Sequence, residues 1–132
     1  MAITKDVGVQ DICVKTVTIN LADVTSGADV SAIDLPNNSV VLSGSLYTTE
    51  AWNSTSTDVL SVGDTTTYNR YLSAGNIRSL AALVPLVPTG IVQPTSGLTV
   101  RWVSGGGSPT TGKVRLVVTY VVLGKAEYTY EA

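Results

Sequence analysis

The sequence contains no histidine, no phenylalanine and only one cysteine, Cys13. Each gap excludes something. Without histidine there is no Ser-His-Asp or Cys-His arrangement, and the commonest general base is missing. The usual zinc, copper and non-haem iron ligand sets go with it. A single cysteine forms neither an intrachain disulfide nor a multi-cysteine zinc site, and on an apolar strand it reads as a small buried hydrophobe. Charge is scarce too: 14% of residues are charged, eight basic and ten acidic, for a net charge of −2. No basic patch is available to neutralise phosphates, so nucleic acid is not an expected partner. No stretch approaches the roughly 20 apolar residues that span a membrane as a helix. The start, MAITKDVGVQ, lacks the charged and apolar regions of a signal peptide. The expectation is a protein made in a cytoplasm, with no membrane partner and no cofactor. Asn53-Ser54-Thr55 then reads as ordinary loop and not as a glycosylation site.

What remains is apolar and β-prone. Hydrophobic residues make up 44% of 132 residues, enough for one packed core that buries roughly two-thirds of the unfolded surface. Val and Thr are abundant, while Glu, Lys and Gln are few, which favours strands over helices. ICVKTVTINL (12–21) places Cys13, Val17, Ile19 and Leu21 on one face, with Lys15 interrupting it. SVVLSGSLYTTEAW (39–52) puts Val40, Leu42 and Leu46 on one side and Val41 and Tyr47 on the other. DVLSVGD (58–64) reads as a short strand. LTVRWVS (98–104) alternates with Leu98, Val100 and Trp102 inward, and KVRLVVTYVV (113–122) with Val114, Leu116, Val118, Tyr120 and Val122 inward. TSGAD (25–29) and LPNNS (35–39) mark turns. One region resists: in NRYLSAGNIRSLAALVPLVPTG (69–90), Leu80–Leu83 spell at most one helical turn before Pro85 and Pro88.

The fold expected is all-β: one antiparallel sandwich domain of jelly-roll type over 1–132, with at most one short helix. Short arms flank it at about 1–11 and 125–132. The last segment, KAEYTYEA, follows Gly124 and suits an edge strand whose charges guard against aggregation.

Two stretches imitate chemistry. From Gly107 the chain reads G-S-P-T-T-G-K, the opening of a phosphate-binding P-loop. The Ser or Thr that follows the lysine and holds Mg²⁺ is replaced by Val114, and VRLVVTYVV does not begin a helix. Strand, glycine-rich connection, strand reads as a hairpin. Asp58 and Asp64 flank a short strand, but no sugar cleft accompanies them, and they do not fit the calcium loop pattern. No catalytic, cofactor or metal residues are assigned, and the chain does not read as an enzyme.

Several motifs carry a resemblance. "AIDLP" (32–36), "TTEAWNS" (48–54), "DVLSVGD" (58–64), "NRYL" (69–72) and "LVPTG" (86–90) resemble those of small head proteins of tailed bacteriophages, encoded beside the major capsid protein. With the strands bearing Trp102 and Tyr120, the resemblance covers most of residues 17–128. It implies a capsid decoration, or cement, protein: a β-sandwich on the outside of the head that clamps adjacent major capsid protein subunits. Its expected partners are that protein and further copies of itself, as a dimer or trimer, and its expected location is the virion exterior. The alternative is a carbohydrate- or receptor-binding jelly roll of a phage fibre or spike. Trp52, Asn53, Asp58, Asp64, Arg70 and Tyr71 would form its site if the 51–72 loop folded back; otherwise they brace that loop. Tyr128 and Tyr130, at alternate positions near the C-terminus, suit packing on the sheet or contact with a neighbouring subunit.

Overall fold

The computed structural model describes residues 11–93 and 97–123. Nine strands occur among them: β1 (Cys13–Asn20), β2 (Asp29–Ile33), β3 (Ser39–Glu50), β4 (Asp58–Gly63), β5 (Leu72–Asn76), β6 (Leu83–Pro85), β7 (Val92–Gln93), β8 (Leu98–Ser104) and β9 (Lys113–Val122). One 3₁₀ turn, Leu21–Asp23, is the sole helical element among the described residues. Every strand pairing is antiparallel. One sheet runs β1-β9-β3-β6, with β7 also on β3; the other runs β2-β8-β4-β5. The chain crosses between sheets after β1, β2, β3, β5, β7 and β8, so its first two strands pair with its last two. That wrap is the jelly roll.

The core lies between the sheets and follows the period-2 pattern of the central strands. On β9 the side chains of Val114, Leu116, Val118 and Tyr120 are buried, and on β8 those of Leu98, Val100 and Trp102. Ile19, Val41, Leu46, Leu60 and Val62 complete the layer from β1, β3 and β4. On β1 the expected face turns inward, and Lys15 on that face donates from Nζ to the carbonyl of Asp34, 2.5 Å away. A charge pointing inward on an edge strand discourages edge-to-edge pairing.

Three expectations are corrected. Strict alternation set Leu42 and Leu46 together on β3, yet Leu42 is 40% exposed while Leu46 is buried beside Val41's face. The register against β9 steps from Val41↔Tyr120 to Ser43↔Thr119, a bulge that adds one residue to β3 and reverses its side-chain parity. Residues 80–83 do not form a helical turn. Ala81 has φ +63°, and the backbone there bonds across to Thr48, through Ala81 N to Thr48 O and Thr48 N to Ala82 O. Finally, the connection after β8 is not a hairpin: β8 pairs with β2 and β4, whereas β9 pairs with β1 and β3. Residues 105–112 carry the chain from one sheet to the other.

Candidate functional site

β4 separates the singled-out side chains into two groups. Asp58 opens the strand and Asp64 immediately follows it. At the Asp58 end lie Trp52, Trp102, Ser54 and Arg78. The Asp58 carboxylate, 0% exposed, accepts from Trp102 Nε1 (3.2 Å), Ser54 Oγ (2.6 Å) and Ser54 N (3.3 Å). Arg78 Nη1 stands 3.6 Å from it as an ion pair. Trp52 is 1% exposed and packs its ring on Trp102, with centroids 5.4 Å apart and planes tilted by 43°. Its indole N–H has no hydrogen-bond partner among the described residues. Gly112 lies against the Trp52 ring so closely that any Cβ there would overlap it.

At the other end, Asp64 organises the turn into the next segment. Its Oδ1 accepts from the amides of Thr66 (3.0 Å) and Thr67 (2.8 Å), and its Oδ2 from Arg70 Nε (2.5 Å) and Gln93 Nε2 (3.0 Å). Gln93 Nε2 also donates to the Tyr71 hydroxyl (2.6 Å), and Thr99 Oγ1 donates to the Asp64 carbonyl (3.3 Å). Burial alone pushes the Asp64 carboxyl up. Donation from the Thr67 amide, Gln93 and Arg70, together with the guanidinium charge, outweighs it and holds the group below the ordinary carboxylate value.

Because Asp64 titrates lower in the folded chain, the unfolded state binds more protons near its own pKa, about 3.9. Its stabilising contribution is therefore complete above that value and is lost as pH falls through the folded pKa. Urea unfolding followed from neutral pH down through the carboxylate range should show Asp64→Asn flattening the acid limb. An acid limb of the same steepness in both proteins would contradict this.

Asn53 belongs to neither group. Its side chain is exposed and clamps the glycine-rich connection, with Oδ1 accepting from the amides of Thr110 (2.7 Å) and Thr111 (3.1 Å) and Nδ2 donating to Thr110 Oγ1 (2.9 Å). The same connection donates from Gly105 N to Thr57 O (2.6 Å) and from Gly112 N to Glu50 Oε1 (3.1 Å), and Gly106 O accepts from Thr55 N (2.9 Å). Amides that a P-loop would aim at phosphates are here bonded to the 50–57 segment. Lys113 points to solvent at the start of β9. Lys113→Ala should change stability by no more than about 0.5 kcal/mol, and calorimetric titration of the parent chain should show no ATP binding for it to abolish. An ATP affinity lost with the lysine would overturn this reading.

Sequence reasoning missed Gln93, Ser54 and Arg78 as partners. Gln93 carried a signal, an uncharged polar residue within the apolar run IVQP; a buried amide needs partners, and it has two. Tyr128 and Tyr130 lie outside the described residues. Among the described residues no group of three His, Cys, Asp or Glu side chains is placed to hold a metal ion, and no helix is long and apolar enough to cross a membrane. Both carboxylates are buried, and every bond given for them runs to a loop amide or a neighbouring side chain, so the arrangement positions backbone.

Three solved structures superimpose on nearly the whole chain. A chain of the cyanophage Pam1 capsid asymmetric unit aligns over 92% of this chain and 91% of its own, with a TM-score of 0.66 and 21% identity. A chain of the acidic stable capsid of Helicobacter pylori bacteriophage KHP30 aligns over 96% and 98%, with a TM-score of 0.70 and 18% identity. The fold is one found in phage capsids. The capsid of Ralstonia phage GP4 supplies a third match, over 92% and 90% with a TM-score of 0.55 and 18% identity. No protein-family model matches the chain, and no curated protein matches it.

Proposed function

We propose that this protein is a structural component of a tailed-phage virion, a decoration or cement protein. It binds the outer surface of the head and clamps adjacent major capsid protein subunits. The observation that carries this reading is the near full-length correspondence of its jelly roll with chains of phage capsids. The phage-head motifs of the sequence point the same way. What the described residues contain is consistent with binding without chemistry: buried carboxylates that brace loops, and a rigid two-sheet body. Affinity in such a protein is the sum of buried interface area and of many equivalent contacts on one particle. Its partners are the major capsid protein and further copies of this chain, as a dimer or trimer around a symmetry axis of the shell, with neither nucleic acid nor membrane involved. The carbohydrate-binding alternative loses its aromatic platform, because Trp52 is buried against Trp102.

Purified protein mixed with heads that lack it should co-sediment with them and saturate at a fixed number of copies per shell. Protein that stays in the supernatant at every concentration would contradict the proposal, and saturable binding on a glycan array in its place would favour the sugar-binding reading.

A further inference from the structure

The outer face of the β1-β9-β3-β7 sheet is apolar at one end. Outward-facing Val92, Val40 and Val121 form one row across β7, β3 and β9, matched through Val40↔Val92 and Val40↔Val121. The next row holds Leu42, Thr119 and Val14, through Val14↔Thr119 and the bulge of β3. Ile12 extends the patch beyond β1, where it is 68% exposed, and Val14 is 57% exposed. No charged side chain stands on these two rows; the outward charges of β9, Arg115 and Lys113, lie toward its other end, roughly 14 Å or more away along the strand. A contiguous exposed apolar surface of this kind marks an interaction site.

What lies beyond the described residues at that end supplies an occupant. The chain leaves β9 at Val122 and turns at Leu123, whose N–H donates to Asn38 O (2.9 Å). The residues that follow are GKAEYTYEA. Taken as an extended segment, they place Ala126, Tyr128, Tyr130 and Ala132 on one side and Lys125, Glu127, Thr129 and Glu131 on the other. One side is thus apolar and aromatic, the other charged. Residues 125–132 reach roughly 26 Å when extended, whereas the face from β7 to β1 is only about 14 Å wide at the usual strand spacing. Attachment at the edge of the patch also gives the segment a high effective concentration there. We infer that this apolar face is the docking surface for the chain's own C-terminal segment, with Tyr128 and Tyr130 laid on Val14, Val40, Leu42 and Val92. The inference does not depend on the capsid reading.

Photo-cross-linking of the full chain tests it, with Tyr130 replaced by the aromatic photoreactive analogue p-benzoylphenylalanine. The expected product migrates as a single chain, and peptide mapping places the link on residues 12–14, 40–42 or 92. Leu42→Lys with Val92→Lys, both at outward and exposed positions, should lower its yield roughly tenfold, since each replaces an apolar contact that the docked segment covers with a charge. Links that join two chains would assign the surface to a neighbouring copy and overturn the inference. So would links elsewhere, no link at all, or a yield unaffected by the two lysines.

Discussion

Val118→Asp should abolish the folded state. Val118 is fully buried at the centre of β9, opposite Lys15 of β1 and Gly44 of β3, in the strand that holds the first sheet together. The inward face of β9 is otherwise Val114, Leu116 and Tyr120, and the one facing cation, Lys15 of β1, already donates its Nζ to the Asp34 carbonyl, so a carboxylate at 118 could pair only by breaking that bond. Burying an unpaired charge, or protonating it to avoid that cost, costs at least about 5 kcal/mol. That is comparable to the whole stability of a domain of this size, about 5–15 kcal/mol. Far-ultraviolet circular dichroism at neutral pH should show loss of the β signature, with no cooperative urea transition remaining. The same change at Val14, which faces outward and is 57% exposed, should shift stability by only about 1 kcal/mol. If Val118→Asp unfolds no more easily than Val14→Asp, the assignment of the two faces is wrong.

Asp58→Ala should be the most damaging polar substitution. It removes one carboxylate and leaves the Trp102 indole N–H and the Ser54 amide without their acceptor, while the Ser54 hydroxyl keeps only the Thr57 carbonyl and Arg78 loses its ion pair. Stranding the buried indole N–H and the Ser54 amide costs about 1–3 kcal/mol each, whereas Arg78, whose side chain is 35% exposed, is taken up by water. Asp58→Asn keeps the shape and one acceptor oxygen but turns an amide NH₂ toward other donors, at about 1–3 kcal/mol. Tryptophan emission reports both directly, since Trp102 binds the carboxylate and Trp52 stacks on Trp102. Urea titration should give the order parent, Asp58→Asn, Asp58→Ala. A loss below about 1 kcal/mol for Asp58→Ala would mean that the carboxylate is not the anchor of this end of β4.

How much of this was legible in the sequence depended on regularity. β8 and β9 alternate without interruption, so their inward residues could be read directly. β3 could not, because a bulge is a matter of backbone pairing with β9; Gly44 in SVVLSGSL hints at an irregularity but does not fix where the extra residue sits. Residues 105–112 were recognisable as a flexible connection, but whether it joins neighbours in one sheet or crosses to the other depends on which strands flank β8 and β9. Local sequence does not carry that. The run around Ala81 resembled a helical turn because Leu and Ala favour one; its backbone bonds to Thr48 are long-range and override propensity. The candidate residues were close in sequence, yet β4 sends Asp58 and Asp64 to opposite ends of one strand. Trp52, which a sugar site would expose, is covered by Trp102 and Gly112, residues some fifty or more positions away.

The most direct test of the central claim is a reconstruction of the phage particle that carries this chain. Two-sheet jelly rolls of this topology should appear in a fixed number of copies on the outer surface of the head, each touching more than one major capsid protein subunit. Heads whose outer surface carries no density for this chain, while the protein remains free in the infected cell, would contradict it.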